Sequence, residues 1–260
     1  MNIGFIGVGH MAGSILRALS KEEGFSFYVN DHHLDKMMAL EREYKGRVFV
    51  TVNQEILNQC PFVFLGVKPC DMNALLASLG KDHPRTIFVS MAAGYSLDEL
   101  EMHLGNSRLI RIMPNTPVLV SKGVTFASYR RLSKDEKETF ERMMTLTGKL
   151  HEINEEKMDV VSVLTGSSPA YLDAFADALM HFGQANGLDE KEATEYVWDM
   201  VEGAALLGRE SGKSPKTLKE EVCSPGGSTI EGVWVLDDAG FEQTIQKAAE
   251  ASLTKTKNMR

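Results

Sequence analysis

Two kinds of segment in this 260-residue chain carry residue types that chemistry needs. The first is Ile3-Gly4-Phe5-Ile6-Gly7-Val8-Gly9-His10-Met11-Ala12, an apolar strand that runs into G-x-G-x-x-A and then a helical pattern. In such a turn Gly7 permits the tight bend and Gly9 lets backbone approach a pyrophosphate. Ala12 keeps the helix close to the strand, and the helix start offers unpaired N–H groups to phosphates. The second kind is a hydroxyl-rich helix start. Leu164-Thr165-Gly166-Ser167-Ser168-Pro169-Ala170-Tyr171 gathers three hydroxyls and a glycine ahead of Pro169, a residue suited to a helix's first turn. Ser224-Pro225-Gly226-Gly227-Ser228-Thr229 does the same, with Ser224 as the expected N-cap. Glycine at a helix start weakens the helix by about 1 kcal/mol per residue relative to alanine. A Gly-Gly pair there marks a place where backbone must approach a ligand. Bare N–H groups from Gly226 to Thr229 suit a carboxylate without any arginine.

Other turns fall where strands are expected to end: Gly66-Val67-Lys68-Pro69, Ala92-Ala93-Gly94 and Arg111-Ile112-Met113-Pro114-Asn115-Thr116-Pro117. An open parallel sheet binds ligands outside the carboxyl ends of its strands, so these turns should line one groove. Lys68 and Arg111 read as structural or peripheral, since phosphate contacts at such turns are mostly backbone N–H. The second strand ends Tyr28-Val29-Asn30-Asp31-His32-His33, where the adenosine ribose of a dinucleotide should sit. An acid there favours the free 2′-hydroxyl of NAD, a base the 2′-phosphate of NADP. Asn30 and Asp31 argue for one, and His32, His33 and Lys36 for the other. The sequence leaves both open, and the histidines read equally well as solvent-facing loop residues.

No HExxH or GxSxG motif is present, and none of the seven histidines lies inside the hydroxyl-rich segments. A hydroxy-acid dehydrogenase needs a base, normally His or Lys, to take the alcohol proton. Reducing an imine needs less, because the nitrogen arrives largely protonated or takes its proton from a hydroxyl, and hydride transfer then needs mainly orientation. Hydroxyls and backbone amides suit an imino acid. Cys60, Cys70 and Cys223 are odd in number and show no CxxC spacing, so neither a disulfide framework nor a metal site is expected.

These groups are positioned by a chain whose texture changes near residue 153. Before it, short β-rich runs (Ile3–Ile6, Phe25–Val29, Val48–Val50, Phe62–Val67, Thr86–Val89, Leu109–Met113, Val124–Ala127, Leu150–Ile153) alternate with segments of helical length, the signature of βαβ units and a parallel sheet. After it, apolar residues recur at helical spacing, as in Ala170, Ala174, Ala178 and Phe182. Gly187 should end that helix, Asp189 with Glu192 should start the next, and Lys255, Lys257 and Arg260 should give the last one a basic end. The expected architecture is α/β, with a Rossmann-like dinucleotide-binding domain over 1–153 and an all-helical dimerisation and substrate domain over 154–260. The second half is small for a self-sufficient core and rich in Ala and Gly, which is why it reads as a dimerisation unit. A net charge of −8 argues against nucleic acid or an anionic membrane as partner. The longest apolar run, Pro61 to Val67, is far short of the ~20 residues of a membrane span. The opening Met1-Asn2-Ile3 runs straight into a strand, so cytoplasmic residence is expected.

Taken together, these segments resemble the pyrroline-5-carboxylate reductase family, enzymes of proline biosynthesis that reduce the cyclic imine 1-pyrroline-5-carboxylate with NADPH, or less often NADH. The resemblance covers nearly the whole chain and rests on the glycine turn, Val67-Lys68-Pro69, Met113–Pro117, Leu164–Tyr171 and, most specifically, Ser224–Thr229. It implies that Ile6, Gly7, Val8, Gly9, His10, Met11, Asn53, Val67, Lys68, Pro69, Ala92, Ala93 and Gly94 line the coenzyme. Asn30 and Asn115 complete that set. Ser167, Gly226, Gly227 and Ser228 would hold the substrate, with the Thr229 hydroxyl facing the imine nitrogen as the catalytic group. It also implies an interlocked homodimer whose active sites use both chains, with dimers often assembled into decamers. His10 stands where the family usually has asparagine and Ser168 where it usually has glycine; neither removes a group the chemistry needs. Another imine reductase would share these features. A β-hydroxyacid dehydrogenase would need a lysine in a long helix of the second half, and no lysine lies between Met158 and Leu188. A non-catalytic nucleotide-binding protein would have no use for the intact Ser224–Thr229 loop.

Overall fold

The computed structural model describes residues 1–258. The chain divides into two compact units, one formed by Met1–Gly166 with the chain from Ser252 onward, the other by Ser167–Ala251. In the first unit the strands are β1 (Asn2–Ile6), β2 (Ser26–Asn30), β3 (Val48–Val50), β4 (Phe62–Leu65), β5 (Ile87–Ser90), β6 (Arg108–Met113), β7 (Gly123–Arg130) and β8 (Gly148–Glu152). Between them lie α1 (His10–Leu19), α2 (Leu34–Glu43), α3 (Asn53–Gln59), α4 (Pro69–Leu79), α5 (Leu97–Leu104) and α6 (Lys134–Met144), and the short α7 (Met158–Val161) follows β8. Among the described residues the strands form one sheet in the order β3-β2-β1-β4-β5-β6-β7-β8. β4 and β5 are buried at every residue, as their unbroken apolar runs require of strands covered on both faces. Phe5, Phe27, Phe64, Phe88 and Phe140 are wholly buried, and Phe5 stacks on Phe64 with ring centres 4.8 Å apart.

The expected parallel sheet holds from β3 to β6, but β7 runs antiparallel to β6, pairing Leu109 with Arg130 and Met113 with Phe126. The connection is the reason. A parallel crossover needs a dozen or more residues, usually a helix. Here the chain turns back through a single short 3-10 segment, Thr116–Val120.

In the second unit α8 (Ser168–Ala185) packs on α9 (Glu190–Glu210), followed by α10 (Pro215–Val222), α11 (Ser228–Asp238) and α12 (Phe241–Lys257). The Asp189–Glu192 capping box forms as expected. The Tyr171 hydroxyl donates to the Ala248 carbonyl at 3.2 Å, tying α8 to α12. Lys255 and Lys257 fall in the last turn of α12, while Arg260 lies outside the described residues.

The strand ends that matter for function are held by backbone. Gly7 has φ +89°, and a Cβ there would lie 2.7 Å from Gly66 C and Val67 N. A Cβ on Gly66 would overlap the Gly7 carbonyl and the Ala12 methyl. Gly7→Ala and Gly66→Ala should therefore each lower the unfolding free energy by roughly 1–3 kcal/mol, through left-handed strain in the first and overpacking in both. Urea denaturation of each variant against the parent checks this; a midpoint unchanged in either one would mean that the two turns are not packed as described.

Candidate active site

The carboxyl ends of β1, β2 and β4 are laced together. Gly7 N–H donates to the Asn30 carbonyl at 2.7 Å and Gly66 N–H to the Ile6 carbonyl at 2.8 Å. Asn30 Nδ2 donates to Asn53 Oδ1 at 2.6 Å, joining the end of β2 to the start of α3. Asp31 then reaches back over the turn, its Oδ2 accepting from Val8 N–H at 2.7 Å. Burial opposes the Asp31 charge. The N–H groups of His33 and Val8, the His33 ring and the charge of His32 outweigh that effect and hold the carboxyl below its usual range. Asp31 thus stays an anion that fixes the glycine turn from inside.

Gly9 is different from its neighbours. It caps α1 with ordinary extended geometry and no side-chain cap bond, and a Cβ there would meet only the Gly66 carbonyl oxygen, at 3.7 Å. Nothing in the protein requires glycine at that position, so the requirement points outward, to a group that must come against the backbone. The helix start carries no acidic residue in its first turn. A cavity of about 510 Å³ opens beside it, lined by Val8, Gly9, His10, Arg17 and Lys36 among others. Positive helix end, open glycine and three basic side chains make a cradle for a pyrophosphate. A second cavity, about 600 Å³, lies where α4 and α5 begin and includes Lys68, Pro69, Cys70, Gly94 and Tyr95. Lys68 caps α4 in extended geometry with Pro69 in its first turn. Ala92 is buried and Ala93 half-buried beside Gly94, in the turn that follows β5. Ile6 and Met11 flank the glycine turn on either side, and Val67 is half-buried next to it. Gly66, absent from the expected coenzyme set, proves to be the backbone against which the glycine turn packs. Its signal was the glycine directly after a fully apolar strand.

The Asn115 side chain is also a structural clamp. Its side chain is buried, donating to the Thr165 carbonyl at 3.0 Å and accepting from Val124 N–H at 2.8 Å. Both ends of the amide are engaged, so it clamps the end of β6 to the π-helical turn Ser162–Ser167. Arg111 works alongside it. Its guanidinium is almost wholly buried, 2.9 Å from Glu155 Oε1 and 3.7 Å from Asp159 Oδ1, pinning the segment after β8 to the sheet. The structural reading of Arg111 therefore holds. Cys60 is inert: burial, with the nearby Glu55 charge, pushes its thiol up to about 12.

In the second unit α11 starts at Ser228. Its cap is Gly227 and not the expected Ser224, because Gly226 takes φ +71° and closes a turn in which Gly227 N–H donates to the Ser224 carbonyl at 3.0 Å. Gly227 offers no side-chain cap, so the first N–H groups of α11 are left to a ligand or water. Ser224, Gly226, Ser228 and Thr229 are all exposed, and Ser167 stands half-buried at the end of the π-helical turn. The coenzyme-type turns thus gather in the first unit, while Ser167 and the Gly226–Thr229 loop belong to the second.

Known proteins match both units. Residues 155–259 match the family model for pyrroline-5-carboxylate reductase dimerisation, and residues 2–94 one described as NADP oxidoreductase, coenzyme F420-dependent. The chain is 33% identical over 263 residues to a pyrroline-5-carboxylate reductase of Synechocystis sp., covering 100% of this chain and 98% of that one. To the Escherichia coli enzyme it is 34% identical over 266 residues, covering 99% and 97%. The chain belongs to the pyrroline-5-carboxylate reductase family. The crystal structure of the family's Streptococcus pyogenes member superposes with a TM-score of 0.91 at 29% identity, covering 99% of this chain and 98% of that one. In this family member the glycine turn and the hydroxyl loop sit on separate units, so they can be tested separately.

Gly9→Val should leave the fold intact, since its side chain enters open space, yet abolish NADPH binding by filling the pyrophosphate's place. Circular dichroism and a fluorescence titration with NADPH read the two effects. Parental affinity in a well-folded variant would show that the dinucleotide does not lie on this turn.

Proposed function

We propose that this protein reduces 1-pyrroline-5-carboxylate to L-proline, with NADPH as the reductant and NADH as the lesser alternative. The observation that carries this reading is Gly9: an uncapped helix start whose open glycine no internal contact explains. Full-length identity to named pyrroline-5-carboxylate reductases supports the substrate. The NADP oxidoreductase model over residues 2–94 supports the coenzyme.

Val8 through Met11 would hold the pyrophosphate, with Asn30 and Asn53 nearer the adenosine and the turns at Val67–Pro69 and Ala92–Gly94 along the rest of the groove. When bound, NADPH supplies the hydride. Everything else falls to the chain. The N–H groups from Gly226 to Thr229 bind the substrate carboxylate at a positive helix end, and Ser167 and Ser228 add hydroxyls. The Thr229 hydroxyl donates to the ring nitrogen, an interaction that strengthens as that nitrogen gains amine character. No acidic or basic side chain is asked to remove a proton from carbon or oxygen, which accords with the hydroxyl-and-amide make-up of the loop.

The second unit exposes Phe182, Leu207, Trp234 and Val235, each more than half accessible. A lone helical unit with so much apolar surface calls for a partner, and its match to a dimerisation model supports a second copy of this chain. We take the working form as an interlocked dimer whose sites draw on both chains. A decamer assembled from five such dimers would be resolved from it by sedimentation velocity. Among the described residues no helix is long and apolar enough to cross a membrane, and Cys60, Cys70 and Cys223 are free, in keeping with a reducing, cytoplasmic setting.

The reading is tested by NADPH oxidation on addition of 1-pyrroline-5-carboxylate; no turnover with substrate at millimolar concentration would end it. Thr229→Val keeps the shape and removes the hydroxyl. Loss of one hydrogen bond worth roughly 1–3 kcal/mol should lower kcat on the order of 10- to 100-fold, with NADPH affinity unchanged. Thr229→Ser should recover much of the rate. A variant with full kcat and a raised KM would make Thr229 a binding group only.

A further inference from the structure

The end of β2 carries a feature that the reduction itself does not use. Asp31 is turned inward, its side chain only 5% exposed. One oxygen serves Val8 N–H, and the other accepts from His33 N–H at 2.9 Å. It therefore cannot reach outward to a ribose hydroxyl as an acid at this position ordinarily does. What faces outward is a pair of imidazoles. The rings of His32 and His33 lie 4.0 Å apart, with side chains 73% and 48% exposed. Both turn Nδ1 to Asp31 Oδ1, at 3.5 Å and 3.2 Å.

For His33 that contact is a hydrogen bond and bears on the tautomer. An ionised carboxylate only accepts, so the His33 ring presents Nδ1–H to it, which leaves Nε2 as the atom available to a ligand. His32 faces the same oxygen without a hydrogen bond to it. In a neutral ring Nε2 is an acceptor, matched to a hydroxyl donor. In a protonated ring it is an N–H donor with positive charge, matched to a phosphate.

We propose that His32 and His33, oriented by the inward-turned Asp31, form the coenzyme's 2′ subsite and make its choice between NADPH and NADH depend on pH. This rests on the coenzyme reading above. Acid conditions favour the 2′-phosphate and alkaline conditions the free 2′-hydroxyl. Asp31 is the charged group against the rings; Asp35 stands in the first turn of the adjoining α2, and Lys36 and Arg17 line the cavity beside the glycine turn. Lys36 and Arg17 are the same in the parent and in the histidine variant described below, so they cancel when the two proteins are compared. His10 lines that cavity at the glycine turn, next to the place proposed for the pyrophosphate that both coenzymes share, so it cancels in their ratio. A phosphate monoester's second ionisation, near pH 6, acts in the opposite direction, since the dianion gains as pH rises.

The test is equilibrium binding of NADPH and of NADH, followed by coenzyme fluorescence at pH 6.5 and 8.5, on the full chain without substrate. The ratio of the two Kd values isolates the 2′ substituent. In the parent the preference for NADPH should fall about tenfold between the two pH values, the scale of one charge-assisted hydrogen bond gained or lost. In the His32→Gln/His33→Gln double variant, which keeps polar side chains at two exposed positions, the ratio should become flat. The ratio of kcat/KM values should follow the Kd ratio in both proteins. A flat ratio in the parent, or the same slope in the variant, overturns this assignment even if 1-pyrroline-5-carboxylate is turned over. Failure of both coenzymes to bind at either pH would overturn it together with the proposed function.

Discussion

Gly7 and Gly66 meet backbone to backbone, and that contact leaves no room for a methyl group on either side. The rest of the coenzyme end follows from it. Because β1 and β4 are adjacent parallel strands, the turns leaving them emerge side by side, and only glycine lets them do so without splaying. Once they are packed, Gly7 N–H finds the Asn30 carbonyl and Gly66 N–H the Ile6 carbonyl, so three strands are fixed at their ends by main-chain bonds. Asp31 adds a charge inside this arrangement, and its two oxygens accept from the Val8 and His33 N–H groups. An anion held this way can stand close to a phosphate site because its charge is already directed elsewhere.

Much of this was legible in the sequence for a definite reason: the information is local. A strand followed by G-x-G-x-x-A needs no distant partner to be read, and the Asp189–Glu192 box is decided within one helical turn. The β1 to β6 alternation is likewise a matter of neighbouring segments. What was not legible lies where a partner far along the chain decides. The direction of β7 depends on the length of the connection from β6, which a strand pattern does not register. The role of Asn115 depends on Thr165 and Val124, and neither is visible from a Pro-Asn-Thr-Pro turn. Ser224 has the composition of a cap, but the left-handed Gly226 moves the helix start three residues on. The return of the chain from Ser252 to the first unit is a tertiary event with no local mark.

Arg111 and Asn115 show how a buried polar group can serve geometry. Burying a guanidinium is costly unless it is paired, and Arg111 meets Glu155 and Asp159 on the segment that leaves the sheet after β8. Glu155 also accepts from Leu97 N–H, so one carboxylate joins β6, the start of α5 and the outgoing chain. Asn115 fixes the next turn of that chain by its carbonyl at Thr165. These bonds specify where the π-helical turn begins, more than they add stability.

The glycines of the two units make the final contrast. Gly7 and Gly66 are dictated by their own neighbours, so the coenzyme turn is built before any ligand arrives. Gly226 is not: a Cβ there would meet no atom within 4 Å, and only its left-handed φ demands glycine. The loop it shapes ends in an uncapped helix start with exposed hydroxyls at Ser228 and Thr229. A rigid turn suits a coenzyme whose pyrophosphate must sit in one place through every cycle, since preorganised N–H groups need no rearrangement to bind it. An open loop suits a small imino acid that must enter, react and leave. Its uncapped N–H groups stand exposed at a positive helix end, where water can be exchanged for an anion such as the carboxylate proposed above.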